Sequence, residues 1–307
     1  MKGPLVAVPG AFLIAIAAAL WGTDALLRKP LAESTDAATI VFGEHLVLVL
    51  IMLPVIPAAF AAAMRAGPRY VAAAAAVGIG ASAIATILFT QAFVHGDPIT
   101  PVVLQKVQPL FAVVGAWFVL GERPRPKYGW LLLGGVVGAW LIAFPSPFEI
   151  HVDKAYTALL AITAAALWAM GTVLGRLLAT RLRFQHVTAL RFAFGLPASA
   201  VAVLLLGAPF TTSASDFAWI AVLAVVTGLA ALSLYYIGLQ RTPAIIAALA
   251  ELTFPVTAAA VGYFAFDATL DGSQWLGVAV TTGVVLVLPI TGPRVVRVPR
   301  EVVPATS

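Results

Sequence analysis

Five ionisable side chains sit inside stretches that are otherwise almost wholly apolar: Glu44, His45, Lys106, Arg191 and Glu251. A charge at the centre of a membrane helix costs about 2.5–3.5 kcal/mol on insertion scales, so each needs a partner or a watery cavity. Depth along the chain suggests the partners. Glu44 and Lys106 each lie about seven or eight residues below the same end of their spans, roughly 10 Å at the helical rise. Arg191 and Glu251 lie at comparable depths from the opposite end. They read as two pairs of opposite sign: Glu44–Lys106, accompanied by His45 and Gln105, and an internal pair Arg191–Glu251. A zwitterion needs an anion-binding and a cation-binding group, and Lys106 with Glu44 would supply both. The alternative is two ion pairs that only lock helices together.

Prolines and aromatics sharpen this set. Pro109 and Pro255 fall inside apolar spans, and each frees the carbonyl four residues earlier, those of Gln105 and Glu251. Irregular backbone at membrane depth survives only when buried in protein or lining a wet cavity. Gln105, Gln108 and Pro109 share one helix face, as do Glu251, Phe254 and Pro255. Broken helices at matching points in two halves point to a transport site, so Pro109 and Pro255 are expected at helix breaks that gate it; a simple kink is the alternative. Trp21, Trp168, Phe89 and Tyr235, with Gln91 and Tyr236 nearby, add rings and polar groups. The substrate-facing set is therefore Trp21, Glu44, His45, Phe89, Gln91, Gln105, Lys106, Gln108, Trp168, Tyr235 and Tyr236. Core packing competes with cavity lining for the two tryptophans. Trp130 and Trp275, near span starts, read as interfacial anchors.

The elements that carry these residues repeat. Ala17-Ala18-Ala19-Leu20-Trp21 returns as Ala164-Ala165-Ala166-Leu167-Trp168, 147 positions later. The register holds to within a residue: Phe89 meets Tyr235, Pro109 meets Pro255, and Trp130 meets Trp275. The composition is 62% hydrophobic and 10% charged, against about 25% charged for a soluble domain, so the chain cannot clothe itself in a polar surface. A bilayer core takes about 20 apolar residues per helix. Breaks at charge, Pro and Gly clusters predict ten spans, at 10–29, 37–61, 70–94, 98–120, 127–145, 156–178, 184–206, 216–239, 243–266 and 273–291. Five per half is odd, so the halves, 1–147 and 148–307, face opposite ways. The fold expected is an all-α membrane protein of ten transmembrane helices in two inverted five-helix repeats, with a basic tail. The first span resembles a signal peptide, but its recurrence at 159–168 argues for a retained helix.

Loop charges orient the chain. One side carries thirteen basic residues: Lys2, Arg65, Arg69, Arg123, Arg125, Lys127, Arg176, Arg181, Arg183, Arg241, Arg294, Arg297 and Arg300. The other carries three, Arg28, Lys29 and Lys154. The basic side faces the cytoplasm, which puts both termini there in a bacterial inner membrane. The net charge of +5 is thus a matter of topology and anionic lipid rather than nucleic acid. With no cysteine and four scattered histidines, Cys-based chemistry is excluded and no metal site is expected. No cofactor is expected either. Zinc-protease and nucleophile-elbow motifs are missing, which argues against an intramembrane enzyme. Gly134-xxx-Gly138 and Gly171-xxx-Gly175 allow helix backbones to approach closely.

The chain resembles the EamA-type drug/metabolite transporters. The resemblance rests on Ala19-Leu20-Trp21-Gly22 and Ala166-Leu167-Trp168. It rests further on Val107-Gln108-Pro109-Leu110-Phe111-Ala112 running to Phe118-Val119-Leu120-Gly121-Glu122-Arg123, and on its counterpart Glu251-Leu252-Thr253-Phe254-Pro255-Val256. The second copy has Asp267-Ala268 where the first has Gly121-Glu122. The resemblance implies a ten-helix secondary transporter for amino acids or related metabolites, and the chain looks most like the aromatic amino acid exporters. The expected partners are a small-molecule substrate and membrane lipid; a monomer suffices. Efflux of cationic drugs, which Glu44 and Glu251 could hold, and flipping of lipid-linked substrates remain the alternatives.

Because the chain lacks cysteine, single introduced cysteines report sides cleanly. Gly67→Cys and Arg183→Cys should be shielded from an impermeant thiol reagent in intact cells, whereas Asp97→Cys and His151→Cys should label. Labelling of Gly67→Cys from outside would overturn the inverted five-plus-five topology.

Overall fold

A computed structural model describes residues 9–95, 104–105, 107–123, 126–143, 155–267 and 269–288. Its described residues are helical and contain no strand. The helices are α1 (Gly10–Gly22, continuing as Asp24–Ala32), α2 (Ala37–Met52, with Ile56–Ala66 bent away by 88°), and α3 (Pro68–Ala75, a π-helical stretch Ala76–Ile84, and Ala85–His95). Then come α4 (Gln108–Leu120), α5 (Pro126–Ala143), α6 (Ala155–Ala179), α7 (Phe184–Leu206), α8 (Ala214–Arg241), α9 (Ala244–Ala265) and α10 (Gly272–Val287). Six of these are long and apolar enough to cross a membrane, the bent α2 makes a seventh, and α4, α5 and α10 are shorter apolar helices. The fold is the expected ten-helix membrane bundle of two five-helix repeats.

Two spans differ from expectation in extent. The second was expected to run unbroken to 61, but the chain turns at Leu53–Val55, where Pro54 lacks the N–H that a continuous helix needs. The first, expected over 10–29, runs on to Ala32. Thr23 interrupts it, and its second segment carries Asp24 and Arg28 one turn apart.

The two halves are interleaved. α1 packs on α8 and α9, and α6 packs on α3 and α4, which are the same contacts under the 147-residue repeat. α2 lies against α7 and α5 against α10. Both third spans, α3 and α8, carry a π-helical stretch at matching positions, Ala76–Ile84 and Ala224–Ala230. Such local widening of a helix is frequent at functional sites.

Size decides which face turns inward. Ala17, Ala18, Ala161, Ala164, Ala165 and Ala169 are buried to the last atom, whereas large residues such as Phe118, Trp130, Leu205 and Phe264 face outward. In a bilayer the outside is as apolar as the inside, so close packing of small residues holds the helices together. α5 and α10 show how close. A Cβ on Gly277 would lie 2.6 Å from the Gly138 carbonyl oxygen and 2.7 Å from the Ile142 nitrogen.

Gly277→Leu should therefore force α5 and α10 apart and lower the thermal stability of the purified protein by about 1–3 kcal/mol. Gly283→Leu is the control on the same helix, since nothing lies within 4 Å of its Cβ position. Equal melting temperatures for the two variants would refute the close contact.

Candidate functional site

The break in α9 falls just before Pro255. The helix stops at Ala250, Glu251 and Leu252 form a turn, and it resumes at Thr253. The Glu251 carbonyl, which Pro255 cannot reach with an N–H, accepts instead from Phe254 N at 3.0 Å. α4 begins the same way. Val107 turns, Gln108 and Pro109 form the first helical turn, and Leu110 N reaches back to the Val107 carbonyl at 2.9 Å. Both prolines thus stand at helix breaks.

The two breaks meet. Gln108 Nε2 donates to Glu251 Oε2 at 3.0 Å. The other carboxyl oxygen, Oε1, lies 2.8 Å from the Tyr235 hydroxyl on α8 and 2.9 Å from the Thr172 hydroxyl on α6. Tyr235 and Thr172 are themselves 2.9 Å apart. Four helices therefore converge on one carboxyl group. Gln108 and Glu251 are partly exposed, while Tyr235 and Thr172 are buried.

Rings flank this cluster as two crosswise pairs. Trp21 on α1 meets Tyr235 on α8 with ring centroids 5.2 Å apart, and Trp168 on α6 meets Phe89 on α3 at 5.0 Å. The repeat exchanges these pairs: Trp21 corresponds to Trp168, and Phe89 to Tyr235. The Trp21 indole donates to the Thr227 carbonyl, in the π-helical stretch of α8, at 2.9 Å. Trp21, Trp168 and Phe89 are partly exposed. The anchor residues Trp130 and Trp275 stand outside on exposed faces.

The expected Arg191–Glu251 ion pair does not form. Arg191 Nε donates to Ser82 Oγ at 3.2 Å and its Nη1 to the Tyr236 hydroxyl at 3.3 Å. Ser82 lies 3.0 Å from His45 Nε2, and His45 Nδ1 lies 2.7 Å from the Val41 carbonyl. A carbonyl only accepts, so Nδ1 carries the ring proton and Nε2 accepts from Ser82. The hydrogen bonds thus run in one direction, Arg191 to Ser82 to His45 to Val41. His45 and Tyr236, expected to face substrate, are 4% and 0% exposed. Packing fills their surroundings: a Cβ on Gly195 would lie 2.5 Å from the His45 ring. They stand behind Arg191 and hold it.

Glu44 also has a different partner. Arg28 Nη2 lies 3.1 Å from its carboxylate, and Arg28 Nε lies 2.5 Å from Asp24, making a three-membered cluster between α1 and α2. Lys106, the expected partner, lies outside the described residues. Gln105 is helical and partly exposed one turn ahead of α4, and Gln91 is partly exposed on α3. Arg28 had been read as a loop cation. Its i,i+4 spacing from Asp24 was the available signal. Thr172 and Ser82 carried none, since lone hydroxyls in apolar helices usually bond their own backbone.

One further carboxylate was missed as a structural tie. Gly121 takes φ +68 at the end of α4, a turn suited to glycine, and presents Glu122 to the first turn of α9. There its oxygens accept from Ala244 N at 3.2 Å and Ile245 N at 3.3 Å, two donors no helix can satisfy internally. Burial pushes this carboxyl above its ordinary range, against the pull of the two N–H groups. Beside it, Arg176 Nη1 donates to the carbonyls of Leu239 and Gln240, at 2.6 and 2.8 Å, where α8 ends. Glu122 thus latches the end of α4 to the start of α9, and Arg176 joins α6 to the end of α8.

The comparisons with known proteins fit this architecture. The chain is 26% identical over 300 residues to the riboflavin transporter ImpX of Fusobacterium nucleatum, covering 92% of this chain and 96% of that one. It is 25% identical over 292 residues to the uncharacterized transporter YwfM of Bacillus subtilis, covering 91% and 92%. A solved crystal structure superposes with a TM-score of 0.70 at 20% identity, covering 92% of this chain and 96% of that chain, which speaks for the fold. The EamA-like transporter family matches twice, over residues 8–144 and 155–288, and the chain belongs to that family.

Proposed function

We propose that this chain exports small amphipathic metabolites carrying a flat aromatic group across a bacterial inner membrane, with aromatic amino acids as its first candidates. The observation that carries the proposal is the pair of crosswise aromatic contacts, Trp21–Tyr235 and Trp168–Phe89, set around the Glu251–Gln108–Thr172 cluster. A ring intercalated there gains about 0.5–1.5 kcal/mol per aromatic contact beyond its buried area. Glu251 would take the ammonium of the amino acid. Arg191, a partly exposed residue whose Nε and Nη1 are engaged, would take the carboxylate through Nη2. Arg191 and Glu251 then replace Lys106 and Glu44 as the zwitterion's two anchors, because Glu44 is already engaged with Arg28.

Transport follows by alternating access. The repeats, 1–147 and 148–307, would rock about the breaks at Pro109 and Pro255, opening the latched cytoplasmic end as the other closes. Both termini lie in the cytoplasm in this scheme.

A second reading takes riboflavin as substrate. The relative named as a riboflavin transporter supports it, and a flat tricyclic ring with an imide edge suits a site rich in rings and neutral donors.

Counterflow into proteoliposomes separates the two. Vesicles preloaded with unlabelled phenylalanine should accumulate labelled phenylalanine, and Trp21→Ala or Trp168→Ala should each weaken apparent affinity by about two- to tenfold. Riboflavin counterflow without phenylalanine counterflow would favour the second reading. Unchanged affinity in both tryptophan variants would remove the aromatic site altogether.

A further inference from the structure

The Tyr235 hydroxyl, the Thr172 hydroxyl and Glu251 Oε1 form a closed triangle with sides of 2.8, 2.9 and 2.9 Å. Each side is a hydrogen-bond length for oxygen pairs. Three sides need three hydrogens. The two hydroxyls bring one each, and an ionised carboxylate brings none. With Glu251 ionised, both hydroxyls would point at Oε1, and their own oxygens would face each other lone pair to lone pair in a buried site. A carboxylic acid supplies the missing hydrogen: Glu251 donates to Tyr235, Tyr235 to Thr172, and Thr172 back to Glu251. Gln108 Nε2 donates to Oε2, which marks Oε2 as the carbonyl oxygen and Oε1 as the hydroxyl.

From this hydrogen count we infer that Glu251 is a proton-binding site and that the described conformation is its proton-loaded form. The inference builds on the transport reading above and supplies its energy coupling. In the opposite conformation the proton leaves Oε1 for water on the cytoplasmic side. The carboxylate left behind accepts the substrate ammonium. Proton and ammonium compete for one group, so one proton moves inward for each amino acid moved outward. The matching residue of the first half is Gln105, an amide that cannot titrate, so the repeat does not duplicate the site.

Of the described charged groups on the surrounding helices, Arg191 on α7 is the one whose charge acts on Glu251, and the others near the triangle are engaged elsewhere. Tyr235 belongs to the triangle, and Tyr236 accepts from Arg191 on α7. Asp24 and Arg28, on the part of α1 that packs against α9, are engaged with one another and with Glu44. Arg176 on α6 and Glu122 after α4 are committed to backbone groups at the latched end. Tyr128 lies buried on α5, and Lys106 ahead of α4 lies outside the described residues.

Infrared spectra of the full chain in liposomes test the proton site without any substrate. At about pH 6, where exposed carboxylates are ionised, the wild type should show a carboxylic-acid C=O band that Glu251→Gln lacks. The amide preserves the shape of the neutral acid, so its gel-filtration profile and melting should match the wild type. Should it not fold, Tyr235→Phe serves instead, because removing one triangle hydroxyl should shift the band's frequency. A band unchanged in these variants overturns the proposal. With a pH-sensitive dye inside the vesicles, phenylalanine should drive proton movement through the wild type and none through Glu251→Gln. Wild-type phenylalanine transport that moves no protons also overturns the coupling. A Glu251 band in a protein that moves neither phenylalanine nor riboflavin upholds the proton site and refutes the substrate reading.

Discussion

A carboxyl group in the middle of a hydrocarbon layer must find its hydrogen-bond partners within the protein, because no lipid chain can supply them. Much of the centre of this molecule answers that requirement. Glu251 draws Gln108 from α4, Thr172 from α6 and Tyr235 from α8 onto the break in α9, so four helices share one polar centre. The neighbouring network obeys the same rule with a cation. Arg191 is held by Ser82 and Tyr236, and Ser82 by a histidine whose far nitrogen ends on a backbone carbonyl. A half-satisfied network in such surroundings costs more than an apolar core would. Each hydroxyl is therefore part of what holds the helices together.

Bringing polar tips together demands that backbones come close, and the small residues make that possible. Gly78 of α3 faces the Arg191 carbonyl and Phe194 Cβ of α7, where any Cβ would sit 2.6 Å away. That closeness lets a side chain as short as serine reach a guanidinium on the next helix. The π-helical stretches contribute in the same region. Ser82 lies within the one in α3, and Thr227, whose carbonyl receives the Trp21 indole, lies within the one in α8.

Properties that run along the chain were legible in the sequence, and properties that run across it were not. Apolar length and loop charge marked ten spans, and the repeat marked Trp21 with Trp168 and Phe89 with Tyr235. Those four residues meet as two reciprocal pairs because equivalent positions of an inverted repeat come together around one axis. The prolines located both breaks. The ion pairs failed for a physical reason: depth fixes a residue's height but not the direction in which its side chain leaves the helix. Glu44 points to α1, where Arg28 waits within its own half, and Arg191 turns to Ser82 and Tyr236. Thr172 and Ser82 were invisible because a hydroxyl in an apolar helix has the same sequence signature whether it bonds its own carbonyl or a neighbour.

The repeat is symmetric in backbone and asymmetric in chemistry. Both first spans bring a tryptophan, both third spans an aromatic ring, and both fourth spans a proline break. At the break itself one half has Glu251 and the other Gln105; at the ring one has Tyr235 and the other Phe89. The second half thus carries both the titratable carboxyl and the hydroxyl that meets it, while the first half has the neutral, apolar versions of each. An ideal twofold site with two carboxyls would hold like charges close together, and one of them would have to stay protonated to relieve the repulsion. Confining the carboxyl to one repeat removes that conflict. A single carboxyl then stands between two aromatic pairs, each of which takes one ring from either half.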